Sequence, residues 1–397
     1  MIIKEVSGEE ILDSRGEKTI SVGIKTTAGN FKASAPNGKS KGKYEAKPYK
    51  KSLEEDIKAL KEFSEYFSEE HFDNFDDLRM AEDIIGDSVG ANTLFALESA
   101  ILKAIAKEQK KEVWQLINPK AKKISRLVGN CIGGGKHSQI SPGMRKPDFQ
   151  EFLLVPEINS AIQSFGIIHN AKSNAQIILK NVDSKFESKK NDEDAWITSV
   201  DDKTVLEVLK DLKDNTMDER KLYLDEGFDA AASTFFKRKK YHYENPKLDR
   251  VSEEQLKYIS NLVKNFHLLY VEDPFDENDF ESFSQLLKKF PDRLIVGDDL
   301  TATNYERLKK AIKMKSINAL IVKPNQTGSL LDVKGVCELA KENGIKIVFS
   351  HRSGETRENI LADLAFGFGA DFFKCGITGV EREAKIKRLI EIEKSVR

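Results

Sequence analysis

The sequence predicts an α/β chain in two parts: a smaller α+β domain over residues 1–125, then a (β/α) barrel over 126–397. Three observations lead there. In the second half, short apolar runs each end in a polar or charged residue and lead into a helix-like segment. The repeat is roughly 25 residues, about what a strand, a helix and two loops need. The first 125 residues lack that rhythm, and 397 residues are enough for two cores.

Ile20 to Thr26 alternates with period two, Ala28-Gly29-Asn30 makes a turn, and Phe31 to Ala35 returns, so the chain opens on a hairpin or meander. Residues 52–67 and 91–117 carry helical spacing, the second rich in Ala and Leu. Further on, Leu268 to Val271 ends at Glu272, Leu294 to Val296 at Gly297-Asp298, and Leu320 to Val322 at Lys323. Ile345 to Phe349 leads to Ser350-His351-Arg352, and Phe372-Phe373 ends at Lys374. Tyr305 to Met314, Leu330 to Glu342 and Glu358 to Phe368 pattern as amphipathic helices in the gaps. Such a repeat closes as a barrel or opens as a doubly wound sheet. In a barrel, the residues at strand C-termini share one mouth. A charged residue at one strand end needs no function. Five such ends in succession, with both carboxylates before both lysines, favour a common site.

The bulk properties are those of an ordinary globular chain, 39% hydrophobic and 32% charged. A net charge of -1 predicts no attraction to nucleic acid or an anionic membrane, and the basic run Lys237 to Lys240 reads as a solvated face. No apolar run approaches the ~20 residues of a membrane span, and the N-terminus lacks a signal-peptide layout. Cys131, Cys337 and Cys375 have neither CxxC spacing nor an even count, so reduced thiols in a cytoplasmic protein are expected. Gly133-Gly134-Gly135-Lys136 hints at a phosphate-binding loop, but Asn130 and His137 break the GxxxxGK[ST] template.

Several stretches are specific enough to point to a family. Ile11-Leu12-Asp13-Ser14-Arg15-Gly16, Val271-Glu272-Asp273-Pro274-Phe275, Val296-Gly297-Asp298-Asp299-Leu300-Thr301, Val322-Lys323-Pro324-Asn325-Gln326-Thr327-Gly328-Ser329 and Ser350-His351-Arg352-Ser353-Gly354-Glu355-Thr356 occur in this order. With them the chain resembles the enolase family over nearly its whole length. The resemblance implies a barrel of the enolase type that dehydrates 2-phosphoglycerate to phosphoenolpyruvate in glycolysis or gluconeogenesis. It implies Asp229, in Gly227-Phe228-Asp229-Ala230-Ala231, with Glu272 and Asp298 as ligands of a first Mg²⁺. Asp225 and Asp299 are nearby competitors that the motifs disfavour. Ser40 would help hold a second Mg²⁺ arriving with substrate. A carboxylate set without His or Cys suits this ion. Lys323 matches the family's base and Glu193 its acid, with Glu151 beside the acid. Arg352 and Ser353 would hold the phosphate and Lys374 the substrate carboxylate, while His137 and His351 would line the site. A homodimer or higher homo-oligomer, with a small phosphorylated carboxylate as substrate, is implied in the same way.

The departures from the family pattern fall in loops. Asn37, Lys39 and Lys41 replace the usual Ser, Ala and Thr, which suggests a phosphate contact by the two lysines. The interval from His137 to Glu151 is longer than usual, with inserted Ser141-Pro142-Gly143, and Asn191, Asp194 and Ala195 replace the glycines around Glu193. The segments after Glu45 and Lys374 are shortened. Two other readings follow from these loops: a related enzyme acting on a different carboxylate, or a non-catalytic binding or scaffold protein on the same fold.

Overall fold

A computed structural model of the chain describes residues 1–39, 42–140, 143–220 and 223–397, and in 216–220 the backbone alone. Ser40 and Lys41, and the inserted Ser141 and Pro142, lie outside the described residues. An antiparallel meander opens the chain: β1 (Ile3–Leu12), β2 (Lys18–Thr26) and β3 (Gly29–Ser34). The period-two pattern of β2 buries Ile20, Val22 and Ile24; of the helices α1 (Leu53–Glu62), α2 (Leu78–Ile85) and α3 (Ala91–Glu108), α1 packs on β1 and α2 on α3. α3 lies on β2 and β3 and also meets the barrel. It is buried on almost every face, hence its Ala and Leu content.

Two helix expectations change, and one helix is unexpected. The segment 52–67 divides into α1 and a 3₁₀ turn over Ser64–Glu69. The segment 91–117 breaks at Lys110, whose φ of 55° cannot continue a helix, and resumes as α4 (Val113–Ile117). α2 is a helix that the sequence pattern does not announce. Its eight residues give too short a window for periodicity to stand out.

The second part alternates strands and helices: β4 (Arg126–Gly133), β5 (Glu151–Pro156), α5 (Ala161–Val182), the short β6 (Trp196–Ile197), α6 (Asp202–Arg220) and β7 (Leu224–Asp229). A small sheet follows, β8 (Phe236–Lys237), β9 (Lys240–Glu244) and β10 (Lys247–Arg250), whose first turn carries the basic run. Then come α7 (Ser252–Phe266), β11 (Tyr270–Glu272), α8 (Phe280–Lys289), β12 (Leu294–Gly297), α9 (Tyr305–Met314) and β13 (Ala319–Val322). The chain ends with α10 (Leu330–Glu342), β14 (Lys346–Ser350), α11 (Ile360–Gly367), β15 (Phe372–Lys374) and α12 (Val380–Val396).

Around the barrel the order is β4, β5, β7, β11, β12, β13, β14, β15, and β15 closes on β4. β5 runs antiparallel to both neighbours, while β7 through β15, and β15 with β4, are parallel. The interior is packed with Val128, Leu153, Val155, Tyr270, Val296, Ile321, Val348 and Phe372, so it is a core rather than a pore. The N-terminal part joins the mouth through Asn37, whose backbone N–H and C=O pair with Gly354 at 2.7 and 2.9 Å. Among the described residues no helix is long and apolar enough to cross a membrane.

Candidate active site

Strand register brings the charged residues together. Glu272 ends β11 opposite Asp229, the last residue of β7. Because β5 runs the other way, its first residue, Glu151, stands opposite Asp229 at the same end of the barrel. Asp298 and Lys323 follow β12 and β13, His351-Arg352-Ser353 follows β14, and Lys374 ends β15. All are buried except Lys323, which is partly exposed.

Asp229, Glu272 and Asp298 each offer an oxygen, all within 4.8 Å of one another. Asp298 Oδ1 is buried and accepts no hydrogen bond among the described residues, an arrangement that a cation would complete. The all-oxygen donor set fits a hard divalent ion. Two ammonium groups face these carboxylates. Lys374 Nζ donates to both Glu272 oxygens at 2.8 Å and to Asp229 Oδ2 at 3.3 Å, and lies 3.2 Å from Glu151. Lys323 pairs with Asp298 Oδ2. Burial and then Asp229 push the Glu272 carboxyl well above the usual range. Burial would also raise Asp298, but Lys323 and Lys374 hold it low.

Of the two competing aspartates, Asp225 lies apart, while Asp299 with Asp273 and Asp298 forms a neighbouring carboxylate group that could also hold a cation. Asp225 pairs with Arg126 at 3.2 Å, four residues down β7 from Asp229. Asp299 is within reach of Asp298 and Asp273, and burial with Asp298 beside it pushes it up to about 8. Asp273 itself accepts the backbone N–H groups of Asp298 at 3.0 Å and Asp299 at 2.6 Å, so it shapes this turn.

A second group gathers His137, Glu151 and Glu193. His137 Nδ1 lies 3.3 Å from Glu193 and 3.7 Å from Glu151, and His351 Nε2 lies 3.7 Å from Glu193. The carboxyls diverge. Burial, then Glu193, raises Glu151 to about 7. Burial would raise Glu193 too, but His137 and His351 outweigh it and hold Glu193 well below the usual range. Burial keeps His351 neutral despite Glu193 beside it. Glu151 thus holds its proton more strongly than Glu193, and Glu193 beside it raises His137 against the effect of burial.

The loop bearing Glu193 holds its shape without the glycines usual there. Asn191 Oδ1 accepts the N–H groups of Glu193 and Ala195, each at 3.0 Å. Asp194 sits at φ 63°, and its carboxylate is held by Lys172 at 3.1 Å, Lys190 at 2.9 Å and the Thr378 hydroxyl.

Arg352 donates to Glu45 Oε2 at 2.8 Å and Asn325 Oδ1 at 3.0 Å, and Ser353 Oγ accepts the Lys39 N–H at 2.8 Å. The Lys39 ammonium pairs with Asp192 rather than pointing freely at a phosphate position.

Four residues beside these groups escaped sequence reasoning. Asn130 on β4 donates to Glu193 at 3.0 Å, and the Tyr270 hydroxyl donates to Glu272 at 2.8 Å. Glu45 and Asp273 act as above. Asn130 had a signal, a lone amide inside the apolar run Leu127 to Ile132; Tyr270 had none, since a tyrosine suits any buried strand.

Buried carboxylates, two amines and a His–Glu group converging on one barrel mouth define an acid–base enzyme of the (β/α) barrel class, with an acidic cluster able to hold a metal ion. Comparison with known proteins gives the family. The model for the enolase C-terminal TIM barrel domain matches residues 125–397, and that for the enolase N-terminal domain matches 3–117. The chain is 35% identical to the enolase of Natronomonas pharaonis over 405 residues, 99% of each chain. It is 34% identical to that of Methanothermobacter thermautotrophicus over 410 residues, 100% of this chain and 97% of the other. With the Pyrobaculum aerophilum enolase it shares 42% over 276 residues, 68% of this chain and 64% of that one. The chain belongs to the enolase family of hydro-lyases.

Proposed function

We propose that the chain dehydrates 2-phosphoglycerate to phosphoenolpyruvate, Lys323 removing the C2 proton and Glu193 assisting loss of the C3 hydroxyl. One observation carries this reading. Lys323 follows β13 and Glu151 begins β5, four places apart in a ring of eight strands, so amine and carboxyl pair face each other across the mouth. Asp229, Glu272 and Asp298 lie at β7, β11 and β12, between them. Base and acid on opposite walls suit an elimination in which proton and hydroxide leave from opposite faces.

The C2 hydrogen is weakly acidic because its removal puts a second negative charge on the neighbouring carboxylate. Mg²⁺ held by Asp229, Glu272 and Asp298, with a second ion toward Ser40, would offset that charge. A Lys or His base working with one or two Mg²⁺ is the established pattern of enolase-superfamily sites, the group to which this family belongs. Burial draws Lys323 toward the neutral amine, but Asp298 alongside keeps its proton on. Once Asp298 is engaged elsewhere, burial, Arg352 and Lys374 all favour the neutral base. Glu151 supplies the proton that Glu193 needs, His137 lying against both. Arg352 and Ser353 hold the phosphate, and Lys374 orients the substrate carboxylate. Family membership supports a homodimer or higher homo-oligomer working in the cytoplasm.

The test is an NMR time course of 2-phosphoglycerate in D₂O with Mg²⁺. Lys323→Ala should block both C2 exchange and dehydration, and Glu193→Gln should block dehydration while leaving exchange measurable. Each loss should be about 10²–10⁴-fold, the usual contribution of a positioned acid or base. Brisk C2 exchange by Lys323→Ala would overturn the assignment of the base.

A further inference from the structure

We infer that Lys39 and Asp192 form a positioning pair that ties the loop covering the phosphate side of the mouth to the loop carrying the acid. The inference rests on the proposed function for what the two loops do, and on geometry for the tie itself. Lys39 Nζ pairs with Asp192 Oδ2, and the two side chains keep only 22% and 19% of their exposure. Asp192 immediately precedes Glu193. On the other side, Lys39 donates its backbone N–H to Ser353 Oγ at 2.8 Å. Gly38 lies so close to Arg352 that a Cβ there would fall 2.0 Å from Nη2. A loop that covers Arg352 and Ser353 is thereby fastened to the residue next to the acid.

Each end of the tie has its own anchors. On the Asp192 side, Asn191 folds back on two backbone N–H groups. Asp194 is anchored to the barrel by Lys172 on α5 and by Thr378. Asn130 holds Glu193 from β4. On the Lys39 side, Asn37 pairs its backbone with Gly354, donates its side-chain amide to the Lys18 carbonyl at 2.9 Å and accepts from Asn92 at 3.0 Å. The pair therefore joins two loops that are each anchored to their own part of the chain. The residue types bear on this at one end: Lys39 departs from the family pattern, while Asp192 stands between the departures Asn191 and Asp194 without being one.

A phosphate-binding Lys39 predicts something different. A lysine that contacts substrate loses affinity when it is neutralised, whereas neutralising its aspartate partner frees it for the phosphate. A tie loses the same amount from either end. Lys39→Met and Asp192→Asn should each raise the Michaelis constant for 2-phosphoglycerate roughly three- to tenfold, the scale of a partly buried ion pair. The double variant should be no worse than either, and Lys39→Asp with Asp192→Lys should recover part of the loss. Hydrogen exchange supplies a readout that needs no turnover: the Lys39 amide, bonded to Ser353, should exchange faster in Asp192→Asn than in the parent. A raised Michaelis constant in Lys39→Met with none in Asp192→Asn, or an unchanged Lys39 amide in Asp192→Asn, would overturn the tie. Absence of any turnover of 2-phosphoglycerate by the parent protein would defeat the functional reading instead, and the exchange data would still decide the tie.

Discussion

Adding Mg²⁺ to chelator-treated protein should raise its melting temperature by an amount that follows from the acidic cluster and the chain length. Three carboxylate oxygens within 4.8 Å of one another repel by about 3 kcal/mol per ionised pair at an effective dielectric of ~20. Lys374 and Lys323 cancel part of that. A divalent ion that binds only the folded chain stabilises it by roughly 2.7 kcal/mol at one hundred times its dissociation constant, and by about 4.1 at one thousand. A chain of 397 residues has an unfolding entropy of about 0.8 kcal/mol/K. The expected shifts are therefore about 3 °C and 5 °C, a gain of nearly 2 °C per decade of free Mg²⁺. Scanning calorimetry at fixed ionic strength, with Na⁺ matched, measures this and removes general screening. Asp229→Asn and Glu272→Gln should lose the slope. A variant that keeps the full Mg²⁺ slope, or a parent protein with none, would refute the assignment of the cation to this cluster.

Three further outcomes follow from buried groups. In metal-free protein, an infrared difference titration of parent against Glu151→Gln should show a carboxylic C=O band that fades as pH rises through about 7; fading near 4.5 instead would mean that the pair does not share its charge as described. Glu226 is buried on β7 with neither carboxyl oxygen bonded among the described residues, and burial raises it from 4.5 to about 8. Its folded value lies above the unfolded one, so the unfolded chain releases this proton first and stability falls as pH climbs from about 4.5 to about 8. Glu226→Gln should remove that slope and gain roughly 3–5 kcal/mol at pH 8 relative to its effect at pH 5, and chemical denaturation at the two pH values with equal effects would contradict it. Asn130→Leu should cut dehydration while sparing C2 exchange, since Asn130 holds Glu193 and not Lys323; equal loss of both in the D₂O time course would show damage to the whole mouth.

Much of this architecture was legible because apolar runs ending in charge are a local signal. β11 through β15 close with the charged residues where the sequence put them, and α9 and α10 occupy the segments read as amphipathic. Ring closure and strand direction are non-local. Nothing in Glu151 to Pro156 says that this strand runs against its neighbours, and so nothing local says that its first residue, rather than its last, faces the mouth. The motifs placed Glu151 near the acid, and the register supplies the reason it can be there. Likewise the sequence offered Lys39 as a lysine on a loop, while its partner, Asp192, lies far along the chain. Long-range pairs of exposed charge types leave no periodicity to read.

The loop around Glu193 shows how a site can keep its form when its residue types change. A non-glycine residue in the left-handed region costs about 1–2 kcal/mol, less for Asp and Asn than for others. Asp194 accepts that conformation at φ 63° and brings a carboxylate that glycine lacks. Lys172, Lys190 and Thr378 all use it. A hydrogen bond to a charged group contributes about 1.5–3 kcal/mol, so one of these contacts is enough to offset the backbone cost. Glycine would permit the turn and leave it free to move; aspartate in this setting permits the turn and fixes it. The same substitution that breaks the family's pattern therefore anchors the acid loop, two residues from the Asp192 that pairs with Lys39.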